Sequence, residues 1–210
     1  MHAMENERDN THTQYPIGAL LSSLHNLNAK SNEVQSLLTK IVQYLDEHEE
    51  TLNSEMSPTE LSSCFYGLRN MADSDSEIVP ILISKLCDIL EARMQACIPW
   101  SGKELSLFMN GMQHMRNDVK VVNDCLHYMQ QLLVTNKSVV FSDEDVGFFI
   151  SGFQNMTADD ATLGVLEELC VNIESNGTRQ TKTDTRHDKM RDTKSIKGHM
   201  MTLSRALGGL

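Results

Sequence analysis

A segment of about fifteen residues recurs along this chain, and the repetition constrains the fold more than any other feature of the sequence. The segments 57–71, 101–115 and 142–156 align without a gap, and residues 17–27 match their second part. The last residues of the four copies, at 27, 71, 115 and 156, are 44, 44 and 41 residues apart. A period of this length indicates that one supersecondary unit is stacked about four times.

Each of the three longer copies opens with a serine that is followed three residues later by an acidic residue. The pairs are Ser57 with Glu60, Ser101 with Glu104, and Ser142 with Asp145. In such a capping box the serine hydroxyl accepts a hydrogen bond from the free N–H three residues on, and the carboxylate reaches back to the serine N–H. The three pairs therefore predict three helix starts.

We number the repeated helix from its first apolar residue, so that position 0 is Ile17, Leu61, Leu105 and Val146 in the four copies. Apolar residues recur at positions 0, 3, 4, 7 and 10, which is the spacing of one helix face. A polar connector and a second apolar helix follow in each copy, expected at 32–45, 76–94, 119–133 and 161–173. Short links favour antiparallel hairpins, so we expect an all-α fold, an α-solenoid of about four helical-hairpin repeats, over residues 15–176.

Position 6 of the repeat holds small residues: Gly67, Gly111, Gly152 and, in the first copy, Ser23. A glycine inside a helix costs roughly 1 kcal/mol relative to alanine, so its recurrence needs a reason. We expect a neighbouring helix to approach closely at this position. A ligand in contact with the exposed backbone is the alternative.

The motifs GLRNM, GMQHM and GFQNM, which end the three longer copies, resemble the degenerate helical-hairpin repeats of eukaryotic α-solenoids. Over about residues 17–173 the chain is similar to the HEAT and armadillo group, and more distantly to octotricopeptide-like repeats. The first resemblance implies an extended concave surface for protein partners, and the second implies RNA binding. The proline-rich signature and shorter period of octotricopeptide repeats are absent from this chain.

The composition changes on either side of the repeats. We expect residues 1–14 to be a disordered polar lead, residues 177–194 a basic disordered linker, and residues 195–210 a short amphipathic helix or tail. Ile196, Met200, Leu203 and Leu207 would lie on one face of that helix. Capping the end of the repeat stack is its expected role, and binding a partner or lying on an acidic surface are the alternatives.

The sequence contains no pattern that indicates catalysis. Its eight histidines and five cysteines form no HExxH, CxxC or mixed cluster, and the glycine-rich phosphate-binding motifs are missing. We therefore expect no enzymatic activity, no metal and no cofactor. An odd number of cysteines within apolar helical stretches is typical of a reducing compartment, and no stretch has the length of a membrane span or the pattern of a signal peptide. We expect an intracellular, cytoplasmic protein.

Candidate binding residues lie off the apolar face and differ between copies, because a solenoid discriminates by varying its surface on a constant frame. They occupy positions 5 and 8 of the three longer copies: Tyr66, Arg69, Asn110, Gln113, Ser151 and Gln154. A protein partner is the expected ligand, with single-stranded RNA, read at about one base per repeat, as the alternative. Residues 1–176 carry 10 Lys and Arg against 26 Asp and Glu, a net charge of -16 that repels phosphate groups and disfavours RNA. The residues can also be merely solvated, and the sequence leaves the oligomeric state open.

Overall fold

The computed structural model describes residues 16–71 and 76–180, with side chains as far as Asn176. These ranges contain nine helices and no strand, so the predicted all-α class is confirmed. The helices are α1 (Ile17–Ser23), α2 (Asn32–Glu47), α3 (Glu49–Glu55), α4 (Pro58–Gly67), α5 (Ile78–Gln95), α6 (Gly102–Gly111), α7 (Lys120–Thr135), α8 (Asp143–Ser151) and α9 (Asp160–Gln180). The polar lead at 1–14, most of the basic linker and the segment 195–210 lie outside the described residues.

Each repeat of the sequence corresponds to a pair of helices. The repeated first helices are α1, α4, α6 and α8, and the second helices are α2, α5, α7 and α9. The short helix α3 lies between the first two hairpins and has no counterpart in the repeat pattern. The last helix continues to Gln180, four residues into the predicted linker. Its last described side chain, Asn176, donates a hydrogen bond of 2.5 Å to the carbonyl of Val139, which ties this end of α9 to the chain after α7.

The helices pack in two series that follow the chain. First helices contact first helices, α1 with α4, α4 with α6, and α6 with α8. Second helices do the same, α2 with α5, α5 with α7, and α7 with α9. The apolar residues at positions 0, 3, 4, 7 and 10 supply much of one continuous core, whose largest fully buried side chains are Phe65, Phe108 and Phe149. Each hairpin is thus placed by its neighbours in the sequence.

Two of the three predicted capping boxes are complete. Ser101 and Ser142 accept hydrogen bonds from the N–H groups of Glu104 and Asp145, and both carboxylates accept from the serine N–H in return. The third box is only half formed. The Ser57 hydroxyl accepts a hydrogen bond from the N–H of Glu60 at 3.2 Å, but the Glu60 carboxylate does not accept one from the N–H of Ser57.

The first helices end earlier than the apolar pattern suggests. Helices α4 and α6 end at their glycines, and the chain continues through tight turns that still bury positions 7 and 10. In the second copy the N–H of Leu68 donates to the carbonyl of Phe65 and that of Met71 to the carbonyl of Leu68, both at 2.9 Å. These are bonds over three residues, which tighten the end of a helix. The glycines therefore lie at helix ends, where their helix-propensity cost is lower than in the interior.

Candidate binding face

The position 6 glycines set the distance between successive first helices. A Cβ atom on Gly67 would overlap the carbonyl group of Leu21, one on Gly111 that of Phe65, and one on Gly152 that of Met109. The three carbonyls belong to position 4 of the preceding copy, so the same contact recurs in the same register. The predicted close approach is confirmed. Parallel helices in one register place equivalent side chains side by side.

Positions 5 and 8 consequently meet across neighbouring helices. The Asn110 amide donates to the Ser151 hydroxyl and the Gln113 amide to the Gln154 side-chain oxygen, both at 2.5 Å. Between the first two copies, the rings of His25 and Tyr66 stack with their centroids 5.3 Å apart. We call the side chains at positions 5 and 8 of α1, α4, α6 and α8, together with the turns that follow these helices, the first-helix row.

The six candidate residues differ in how far they reach solvent. Gln154 is exposed, and Tyr66, Arg69, Gln113 and Ser151 are half-buried. Asn110 is only 1% exposed, so it is not available to a ligand, and its amide orients Ser151 through a hydrogen bond.

Three polar atoms of the row have no hydrogen-bond partner among the described residues. They are the Nε of Arg69 and the side-chain oxygens of Asn110 and Gln113, and all three are buried. A buried polar atom without a partner costs about 1–3 kcal/mol. Seven other such atoms lie elsewhere among the described residues, so this feature does not single out the row.

An aromatic side chain that the sequence pattern did not single out lies beside the row. Phe148, at position 2 of α8, is 41% exposed, and its carbonyl accepts a hydrogen bond of 2.6 Å from the Ser151 hydroxyl. Position 2 holds Ala19, Ser63 and Leu107 in the other copies, so it is large and apolar only in the last two copies. Those two large apolar residues were the available signal, but position 2 lies outside both the core positions and the polar columns.

A polar cluster fixes the connector of the last hairpin. The buried Asn117 amide donates to the Thr157 carbonyl and to the Asp159 carboxylate, both at 2.8 Å, and its oxygen accepts from the Thr157 N–H at 3.0 Å. Burial alone would raise the pKa of Asp159. Hydrogen bonds from Thr162 and Asn117 outweigh it and hold the pKa below its ordinary value of 3.8.

We expect the substitution Asn117→Ala to lower the free energy of unfolding by about 2–4 kcal/mol, because it removes several buried hydrogen bonds at once. Chemical denaturation at neutral pH measures the loss. Since the folded pKa of Asp159 is lowered, the cluster contributes fully above the unfolded pKa and loses its effect as the pH falls through the folded value. The exposed Asn155 supplies the control, since Asn155→Ala should change stability by less than about 0.5 kcal/mol. Equal effects of the two substitutions would contradict this role of Asn117.

The described cysteines are free thiols in contrasting surroundings. Cys87 and Cys125 are buried with their sulfur atoms 3.0 Å apart, Cys64 is buried, and Cys97 is exposed. Burial, and to a smaller extent the Glu60 carboxylate, raise the pKa of the Cys64 thiol. Burial, followed by the hydrogen bond with Cys87, raises the pKa of Cys125.

Because the thiolate is the reactive form of cysteine, Cys97 should react with maleimide in the native protein, whereas Cys64 and Cys125 should react only after unfolding. Mass spectrometry of peptides from native and denatured samples reads out each site. Rapid native labelling of Cys64 would mean that this part of the core opens readily.

No group of three or more potential metal-ligating side chains occurs in ranges 16–71 and 76–180. Nor is any helix within those two ranges long and apolar enough to cross a membrane. No protein-family model matches the chain, and no curated protein or solved structure is significantly similar to it. The class that the fold defines is an all-α protein whose described helices pack against one another in two series, an arrangement compatible with a helical repeat.

Proposed function

We propose that this protein is a non-enzymatic binding scaffold, an α-solenoid of the HEAT or armadillo kind, that binds a protein partner through the first-helix row. One observation carries the proposal. Side chains at positions 5 and 8 of neighbouring first helices contact each other between the first and second copies and again between the third and fourth copies. A row that repeats with the helices is the kind of surface that repeat proteins use for extended ligands.

The row is ordered before any ligand arrives. Side chains that are already fixed lose less conformational entropy on binding, so more of each contact contributes to affinity. Tyr66 and Phe148 provide partly exposed aromatic rings at separate points of the face, and aromatic residues are enriched among those that dominate binding energies. The unpaired atoms of Arg69 and Gln113 could be satisfied by a partner's polar groups.

A protein partner fits the charge of this surface better than a nucleic acid. Arg69 is the only cation among the six candidate residues, and residues 1–176 carry a net charge of -16. Nucleic-acid binding depends on neutralising phosphates with lysine and arginine, and a field of this sign opposes it. The acidic body instead favours a partner with a basic surface.

Affinity capture with the full-length chain tests the proposal. The double variant Tyr66→Ala with Gln154→Ala should lower recovery of a discrete partner roughly tenfold or more, because both side chains lie in the row. The matched control is Ile81→Ala with Gln131→Ala, which changes two exposed residues on the second helices and should leave recovery within about twofold. Equal losses in the two variants, with both folded, would place the binding surface elsewhere.

Single-stranded RNA is the alternative ligand, and the stacked pair of His25 and Tyr66 is the observation that favours it. Aromatic rings of this kind stack on unpaired bases. Ultraviolet crosslinking in the native cell, followed by denaturing capture and labelling of attached RNA, separates the two ligands. We expect no labelled band above background. A band that is lost when Tyr66, Arg69, Gln113 and Gln154 are all replaced by alanine would support RNA recognition instead.

A further inference from the structure

The last first helix, α8, keeps the residues of an interior repeat on a face that no described residue covers. Position 1 is small in every copy, namely Gly18, Ser62, Ser106 and Gly147. The first three are buried, and a Cβ on Gly18 would overlap the carbonyl of Glu60 in the following copy. Gly147 is exposed, and nothing lies within 4 Å of the place a Cβ would occupy. Position 1 therefore faces the next repeat, and in α8 no described residue lies against it.

Position 4 shows the same contrast. Leu21, Phe65 and Met109 are fully buried, and the carbonyl of each lies against the position 6 glycine of the following copy. The corresponding residue of α8, Ile150, is only half-buried. The Ile150 carbonyl is equivalent to the carbonyls that contact a position 6 glycine in the earlier copies, but among the described residues no glycine lies against it. We call the surface formed by Gly147 and Ile150 the open face.

A further copy of the repeat lies in the sequence beyond the described residues. Residues 203–210, LSRALGGL, align with positions 0 to 7, where residues 61–68 read LSSCFYGL and residues 105–112 read LSLFMNGM. Four of eight residues are identical to 61–68, whereas the segments 61–68 and 105–112 share only three. The match includes leucine at position 0, serine at position 1 and glycine at position 6. By this criterion residues 203–210 are as good a copy as those that the structure describes.

We propose that residues 203–210 pack on the open face of α8 as a fifth first helix, with Gly209 against the carbonyl of Ile150. This contact would repeat the one that Gly152 makes with Met109. Leu203, Leu207 and Leu210 then occupy apolar positions 0, 4 and 7 of the copy. Helix α1, which covers positions 0 to 6 and also lacks the serine start, is the precedent for so short a first helix.

The connection to this copy is long but sterically simple. Successive first helices run in the same direction, so each begins near the end of the preceding second helix, and α9 ends at Gln180. Residues 181–202 therefore have to bridge only from that end to the start of the next first helix. The entropy cost of closing a flexible loop rises by only about 0.6 kcal/mol for each doubling of its length.

Charge favours this occupant over others. Residues 138–178, which include α8 and most of α9, carry eight acidic residues and no lysine or arginine. Residues 179–205 carry eight lysines and arginines against three aspartates. The basic segment is attracted to the acidic hairpin on which its last residues would pack. A second copy of the chain is the rival, because α1 exposes Leu20 and Ser23 on the face that precedes it.

A disulfide trap in the full-length chain tests the packing. Positions 5 of neighbouring first helices are in contact, as Asn110 and Ser151 are, so the variant Ser151→Cys with Gly208→Cys should form an intramolecular disulfide under mild oxidation. The control is Gln131→Cys with Gly208→Cys, whose first cysteine lies on the exposed side of α7. Both chains carry Cys97→Ser. We expect at least roughly tenfold faster formation of the 151–208 disulfide, because packing raises its effective concentration.

The substitution Gly209→Leu should remove this advantage without changing helical content, since the side chain would collide with the Ile150 carbonyl. Hydrogen exchange of residues 146–151 should also rise in that variant. Equal disulfide rates for positions 151 and 131 would overturn the proposal. Disulfides that form only between two chains, at a rate that depends on concentration, would overturn it in favour of a second copy.

Discussion

Replacing Gly111 with leucine will abolish the cooperative unfolding transition of this protein or lower its free energy of unfolding by about 4 kcal/mol or more. The Cβ alone would overlap the backbone carbonyl of Phe65, and a backbone group of a buried neighbouring helix cannot move aside as a side-chain end can. Helices α4 and α6 would have to separate, which breaks the packing of both hairpins. Circular dichroism during thermal and denaturant unfolding measures the effect.

Alanine substitutions test the same contact with a smaller side chain, and a second glycine provides a control whose expected change in stability has the opposite sign. Gly111→Ala should destabilise by about 2–4 kcal/mol, since one methyl group already collides. Gly147→Ala should stabilise by up to about 1 kcal/mol, because this glycine lies in helix α8 with open space beside it. Serine at the same position of the second and third copies shows that a Cβ is tolerated there beneath a following helix. A Gly111→Ala variant that is no less stable than Gly147→Ala would contradict the close packing at position 6.

Phe108→Ala should lower the free energy of unfolding by about 3–5 kcal/mol. Phe108 is almost completely buried, and its ring meets that of Phe65 edge-on with centroids 4.0 Å apart. The substitution removes apolar contacts at the boundary of two repeats and leaves a cavity there, which adds to the cost of the lost burial. Equilibrium denaturation measures the difference, and the slope of the transition should be unchanged if the protein remains two-state.

Phe148 is the natural control for Phe108. It occupies the exposed position 2 of α8, so Phe148→Ala should cost less than about 1 kcal/mol of stability. The same variant should weaken partner capture, because its ring belongs to the proposed binding face. A large loss of stability at Phe148 would show that this ring is covered by another part of the chain and is unavailable to a partner.

The repeated elements could be predicted from the sequence because their signals are local. A serine followed by an acid sets a helix start, and apolar spacing sets the buried face, so helices such as α6 and α8 are predicted correctly at their first residues. Helix α3 could not be predicted in this way. It is stabilised by the buried Leu52 and by Arg93, whose guanidinium donates to the Asn53 and Ser54 carbonyls from about forty residues away along the chain.

The binding face could be predicted in outline but not in detail. Equal helix registers bring positions 5 and 8 together, which follows from the alignment of the copies. The burial of Asn110 and the pairing of Gln113 with Gln154 depend on the tilt and separation of two helices, and no periodicity of one chain segment specifies these. Whether a residue at these positions supports the fold or faces a ligand can therefore be decided only from the packed helices.

The measurement that tests the binding face most directly is site-specific photocrosslinking in the native cell. A benzophenone amino acid is placed at position 154, in the first-helix row, and in a second strain at position 131, on the exposed side of α7. We expect a discrete protein adduct from position 154 that is absent from position 131 and lost when Tyr66→Ala is added. Equal adducts from both positions, or an adduct at position 154 that contains RNA and no protein, would contradict the account.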